Sequence, residues 1–139
     1  MKNEAALQSA LENVVRDFGA DSGTVHFMED GVLMLRAATG IPEQVRQIVA
    51  RVPVGKGMAG LAAQRNEQVT SCNIQNDKTG DVRPGARATG MSGALVVPIR
   101  DALGAVRGTL GIGVHREYTF SDDETKKLFA AAEKLAACG

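Results

Sequence analysis

The dipeptide Asp30-Gly31 does most to limit what this chain can fold into. It separates two β-rich runs, Gly23 to Met28 and Val32 to Ala38, and Asp-Gly supplies the positive-φ residues of a tight hairpin turn. An antiparallel pair is therefore set early. Ala94 to Ile99 and Val106 to Val114 predict a second hairpin around Asp101 to Gly104, with Glu67 to Asn73 as another strand and Val52-Pro53-Val54 as a short extended piece. The two ends read differently. Leu7, Leu11, Val14, Val15 and Phe18 share one helical stripe that stops at Gly19, which predicts a helix over about residues 3 to 18. Ser121 with Glu124 three residues on is a capping box, and Leu128, Phe129, Ala132 and Leu135 continue the helix it opens. Pro42 starts a short helix carrying Val45, Ile48 and Val49, and a further one is expected over about 58 to 65. Helices bracketing an antiparallel sheet make the fold class α+β.

At 139 residues the chain is the size of one domain and needs no disulfide or metal scaffold to stay folded. Its 16 basic and 16 acidic residues cancel, but unevenly: residues 51 to 116 are basic and the flanks on either side are acidic. A net charge of zero and five aromatic residues without tryptophan argue against nucleic-acid binding. No apolar run is long enough to span a bilayer, and acidic residues stand where a signal peptide would be apolar. A cytoplasmic protein with no membrane partner is expected. Cys72 and Cys138 lack any C-x-x-C spacing and read as reduced thiols.

Gly55-Lys56-Gly57-Met58-Ala59-Gly60 matches G-x-G-x-x-G, yet three residues with a proline precede it where a dinucleotide fold needs a parallel strand. Two physical readings remain: a helix start whose open N–H groups attract anions, with Lys56 adding charge, or glycines that only permit a tight turn. His26, His115 and Cys72 fall in three different strands, weak grounds for a metal site. With apolar Val69 and Ile74 near it, Cys72 reads as a buried, inert thiol, with nucleophilic use as the alternative. Gly108, Gly111 and Gly113 mark a strand that something approaches closely. Ile74 to Ser92, rich in Gly, Pro and specific polar groups, reads as a lid or pocket wall, or as a mobile loop.

In order along the chain, the opening helix, the first hairpin, Val54 to Gly60, Val69 to Ile74, Ser92 to Ile99, Gly108 to Ile112 and Phe120 to Glu124 resemble a GAF domain over nearly the whole length, 1–139. The resemblance implies a central antiparallel sheet of five to six strands, terminal helices on one face, and a small-molecule pocket on the other, roofed by the short helix and the long loop. It implies sensory or regulatory work without catalysis. Cyclic-nucleotide-binding members carry Asn-Lys and Phe-x-x-x-Asp-Glu; His115-Arg116 and Phe120-Ser121-Asp122-Asp123-Glu124 depart from both. Bilin-binding members attach their chromophore to Cys-His, unlike Cys72-Asn73 and Cys138-Gly139. The free methionine-(R)-sulfoxide reductases of the family use several pocket cysteines, absent here from the Gly-x-Gly turn and from residues 73 to 92. Small stand-alone members bind anions such as nitrate and modulate a sensor kinase.

The expected ligand is thus a small molecule, with anions among the candidates. It is held by backbone N–H groups at Gly60, Leu61 and Ala62, with Cys72 near the pocket and Arg87, Thr89, Met91 and Ser92 from the loop. Any cofactor is left open. A homodimer through the first and last helices and a signalling partner are expected, whether the chain stands alone or belongs to a longer protein. A ligand-free dimerisation module is the alternative, and a free methionine-(R)-sulfoxide reductase-like enzyme a further one.

Overall fold

The computed structural model describes residues 4–72 and 91–138. The order of elements is α1 (Glu4–Phe18), β1 (Ser22–Glu29), β2 (Val32–Thr39), α2 (Glu43–Ile48), β3 (Arg51–Pro53), α3 (Gly57–Arg65), β4 (Val69–Ser71), β5 (Gly93–Arg100), β6 (Val106–Val114) and α4 (Asp122–Leu135), closed by a 3-10 turn over Ala136–Cys138. The α+β reading holds: six antiparallel strands form one sheet in the order β3-β2-β1-β6-β5-β4. Asp30 and Gly31 take φ of 52° and 79°, as a two-residue hairpin turn between right-twisted strands demands. The strand expected over Glu67 to Asn73 shortens to β4, because Glu67 and Gln68 are exposed and unpaired with β5; Asn73 lies outside the described residues.

Alternation gives the sheet two unlike faces. Val25, Phe27, Leu95, Val97, Ile99, Leu110 and Ile112 all point to one side, where Leu7 and Leu11 of α1 and Leu128, Ala132 and Leu135 of α4 cover them. This is the main core, and the apolar stripes of both terminal helices are consumed in it. Arg36 fastens α1 to the sheet. It is the extra residue of a β-bulge, where the partner of β1 steps from Ala37 to Leu35, and its guanidinium bonds Glu4 at 2.9 Å through Nε while lying 5.6 Å over the Phe27 ring.

At the other end the capping box forms as read. Ser121 Oγ accepts from Glu124 N–H, and the Glu124 carboxylate accepts from Ser121 N–H. Tyr118 extends this network. Its hydroxyl donates to Glu124 at 2.8 Å, and its backbone N–H donates to the Cys72 carbonyl at 3.1 Å, so the end of β4 is tied to the start of α4. The backbone bonds to Ser121 hold the Glu124 carboxyl below its usual range. Ser121→Ala removes the cap, and a loss of about 1 kcal/mol is expected in urea unfolding.

Candidate functional site

The second face of the sheet carries the polar groups. Register places Ser71, Ala94, Gly113 and Ser22 in one row across β4, β5, β6 and β1. Val69, Val96, Gly111, Thr24 and Ala38 form the next row, and Pro98, Thr109, His26 and Leu35 the third. Ser22, His26, Ser71 and Thr109 are the buried polar residues of the described chain, and all four lie on this face. Above them sits α3, whose Met58 and Ala62 pack with Val69, Met91, Ala94 and Val96. The result is a floor of hydroxyls and one imidazole under a helix.

His26 is 2% exposed. Its Nε2 lies 2.8 Å from the Val49 carbonyl at the end of α2, so Nε2 carries the proton and donates, while buried Nδ1 has no hydrogen-bond partner. Burial pushes its pKa down from 6.5, and the bond to Val49 opposes that in part. The ring is therefore neutral at pH 7. Its Nδ1 keeps a free lone pair, but among the described residues no group of three or more His, Cys, Asp or Glu converges on a metal position. A stability consequence follows with a definite sign. Between the lowered folded pKa and 6.5 the unfolded chain binds more protons, so this contribution is complete above pH 6.5 and is lost as pH falls, levelling off below the folded pKa. His26→Gln, which keeps a donor for Val49, is expected to flatten that slope in urea unfolding series from pH 7.5 to 5.

The Gly-rich turn resolves into local causes. Gly55 and Gly57 adopt φ of 92° and 66°. A Cβ on Gly60 would sit 2.5 Å from the Pro53 carbonyl oxygen, so only glycine lets α3 close on the turn beneath it. The helix begins at Gly57, one residue before the expected start. Gly60 N–H donates to the Lys56 carbonyl at 3.1 Å, and Leu61 and Ala62 lie deeper in the same helix. Of the N–H groups expected to meet a ligand at Gly60, Leu61 and Ala62, that of Gly60 is thus engaged by the helix. The N–H groups of α3 without an intrahelical acceptor are Gly57, Met58 and Ala59, next to Lys56, whose side chain makes no capping bond.

Met91 and Ser92 end the segment before β5, and Ser92 N–H donates to Val114 O at 2.7 Å. Met91 is buried, and it accounts for one glycine of β6, Gly113. A Cβ on Gly113 would come within 2.9 Å of Met91 Cγ and of Ser22 Oγ, and one on Gly111 within 3.3 Å of Thr24 Oγ1. The close approach expected at this strand is made by Met91 at Gly113, by Val96 and Thr24 at Gly111, and by the backbone of His26 and Phe27 at Gly108. The burial expected for Cys72 is corrected: it lies just past the end of β4 and is an exposed free thiol next to Ser71, while free Cys138 packs against the core on the opposite face. Arg87 and Thr89 lie outside the described residues, as does most of the expected lid. Reading from sequence missed Ser22, Thr24 and Ser71; their signal was the alternation Ser22-x-Thr24-x-His26, which identifies a polar face but not what covers it.

No curated protein matches the chain. Solved structures do. A type II free methionine-R-sulfoxide reductase from Thermoplasma acidophilum is 20% identical, with a TM-score of 0.77 over 97% of this chain and 90% of that one. The GAF domain of a phosphoenolpyruvate-protein phosphotransferase from Coxiella burnetii is 24% identical, with a TM-score of 0.82 over 96% and 80%. A free methionine-R-sulfoxide reductase from Neisseria meningitidis, solved with its substrate, is 19% identical, with a TM-score of 0.78 over 97% and 76%. These likenesses concern the fold. They also correct one expectation: the resemblance was read as implying no catalysis, yet two of these neighbours are enzymes, so the fold accommodates catalysis as well as sensing. The family model for the GAF domain matches residues 4–137, and the chain belongs to that family.

Proposed function

We propose that this GAF domain is sensory or regulatory and binds a small polar molecule between α3 and the second face of the sheet. The observation that carries the reading is the set of buried polar side chains on that face, Ser22, His26, Ser71 and Thr109, with Thr24 half-buried among them. A hydroxyl donates and accepts, so the floor suits a neutral polar group. An anionic group finds its complement at the first-turn N–H groups of α3 beside Lys56. The bonded path from Cys72 through Tyr118 to Glu124 offers a route by which a shift of β4 reaches α4 and, through it, a signalling partner. The test is a thermal-shift screen with nitrate, phosphate, small carboxylates, nucleotides and free methionine sulfoxide. At least one compound is expected to raise Tm at millimolar concentration in wild type and to lose its effect in Thr24→Val; no shift with any of them contradicts the reading. A ligand at 100 times its Kd adds about 2.7 kcal/mol.

A second reading rests on Cys72, an exposed thiol beside the buried Ser71 at the edge of the floor. In it the Cys72 thiolate attacks the sulfur of a sulfoxide, the oxygen passes to Cys72 as a sulfenic acid, and the thioether leaves. The thiol sulfur is oxidised by two electrons and the sulfoxide reduced by two. Two equivalents of an added small-molecule thiol return Cys72 to the thiol, giving a disulfide and water. Turnover of free methionine sulfoxide with dithiothreitol that disappears in Cys72→Ser supports this reading. Turnover that survives the substitution, or none, excludes it.

A further inference from the structure

The sheet keeps α3 and α4 apart, since one lies on each of its faces. A contact between them has to pass around an end of the sheet, and Arg100, the last residue of β5, makes one there. On the α3 side its Nε donates to Asn66 Oδ1 and its Nη2 to the Asn66 carbonyl, both at 2.6 Å. Asn66 is the C-cap of α3 and takes the left-handed conformation, φ 53° and ψ 43°, that asparagine adopts more readily than most residues. On the α4 side the same guanidinium lies 4.8 Å over the ring of Phe129, which packs against the main core. Two donors on one residue fix the plane of the guanidinium to Asn66, so a displacement of Asn66 tilts that plane over the ring. The neighbouring turn does not absorb the movement. Asn66 Nδ2 donates to the Gly104 carbonyl at 3.3 Å, and the Asp101 carboxylate, accepting from the N–H groups of Leu103 and Ala105 at 2.9 and 3.0 Å, holds the β5–β6 turn in one shape.

We propose that Arg100 couples α3 to α4, so that a shift of α3 over an occupied site is delivered to the middle of α4 through Phe129. The use of this link in signalling rests on the reading that a ligand binds beneath α3. A ligand there meets α3 at its first turn and at Met58 and Ala62, which pack towards the floor, while Asn66 ends the same helix. A hydrogen-bonded helix of nine residues moves as a unit, so a displacement at Met58 reaches Asn66. Arginine is required at position 100. A lysine ammonium is a single point of charge, with no plane to hold against both Asn66 and the Phe129 ring. The bonded path from Cys72 through Tyr118 reaches α4 at Glu124, and it starts beside the opening residues of β5, whereas Arg100 closes that strand. The two links therefore leave the sheet at opposite ends and hold α4 at two points.

Amide and aromatic chemical shifts of the full chain, measured without any ligand, test the link. Met58→Ala removes a contact of α3 with the floor, and Ala63→Gly, a second perturbation should the first not fold, loosens α3 from within. Each is expected to shift the Phe129 ring protons and the Ala130 amide, and to leave unmoved the amides of Leu7 and Leu11, which cover the same face of the sheet from α1. Adding Arg100→Lys, which keeps the charge and loses the fork, is expected to abolish the response at Phe129 and Ala130 while the changes within α3 remain. The proposal is overturned if Phe129 and Ala130 do not respond, if Leu7 and Leu11 respond equally, which marks a general loosening, or if the response survives Arg100→Lys. No ligand enters the measurement, so a thermal-shift screen without a hit overturns the binding reading and leaves the link standing.

Discussion

Gly108→Ala is expected to lower stability by about 3 kcal/mol or more, a loss set by backbone rather than by side chains. A Cβ at this position would lie 2.0 Å from the His26 carbonyl oxygen and 3.0 Å from Phe27 Cα, all on the neighbouring strand β1. Overpacking against a flexible side chain is relieved by a rotamer change, but here the two central strands must part. That movement carries His26 with it, so the bond to Val49 and the polar floor are disturbed together. Gly104→Ala is the control. Its φ of 84° strains a larger residue, yet nothing lies within 4 Å of the added Cβ, and a cost of about 1 kcal/mol is expected. Urea unfolding of the two variants separates collision from strain.

Met91→Ala is expected to cost about 3 kcal/mol, typical of truncating a buried methionine. The same change is expected to strengthen ligand binding, because the removed side chain is what fills the space over Gly113 and Ser22. Opposite signs on stability and affinity are the signature of a plug. Met91→Leu, which conserves volume, is expected to cost less than about 1.5 kcal/mol and to leave affinity near that of wild type. A stability loss with an equal loss of binding marks Met91 as a ligand contact instead.

Much of the architecture was legible because its signals are local. The Asp30-Gly31 turn, the stripe from Leu7 to Phe18 and the Ser121/Glu124 box each act within a few residues, and each formed where it was read. The floor of the site was not legible, because Ser71, Ser22 and Thr24 become neighbours only through strand register and the order β1-β6-β5-β4. The alternation in β1 looked the same whether the polar face met solvent or a helix. At α3 the helix starts one residue earlier than expected, at Gly57, so its open donors are Gly57, Met58 and Ala59. The exclusion of catalysis failed for a different reason: a fold is decided by some hundred residues and a reaction by two or three side chains.

Amide chemical shifts of the 15N-labelled protein, followed during titration with the compound that raises Tm most, locate binding directly. The account predicts that the largest changes fall at Gly57, Met58 and Ala59 at the start of α3, and at Ser22, Thr24, Ser71 and Gly113 on the floor beneath it. Changes confined to the outer faces of α1 and α4, with those seven amides unmoved, would contradict a ligand site between α3 and the sheet.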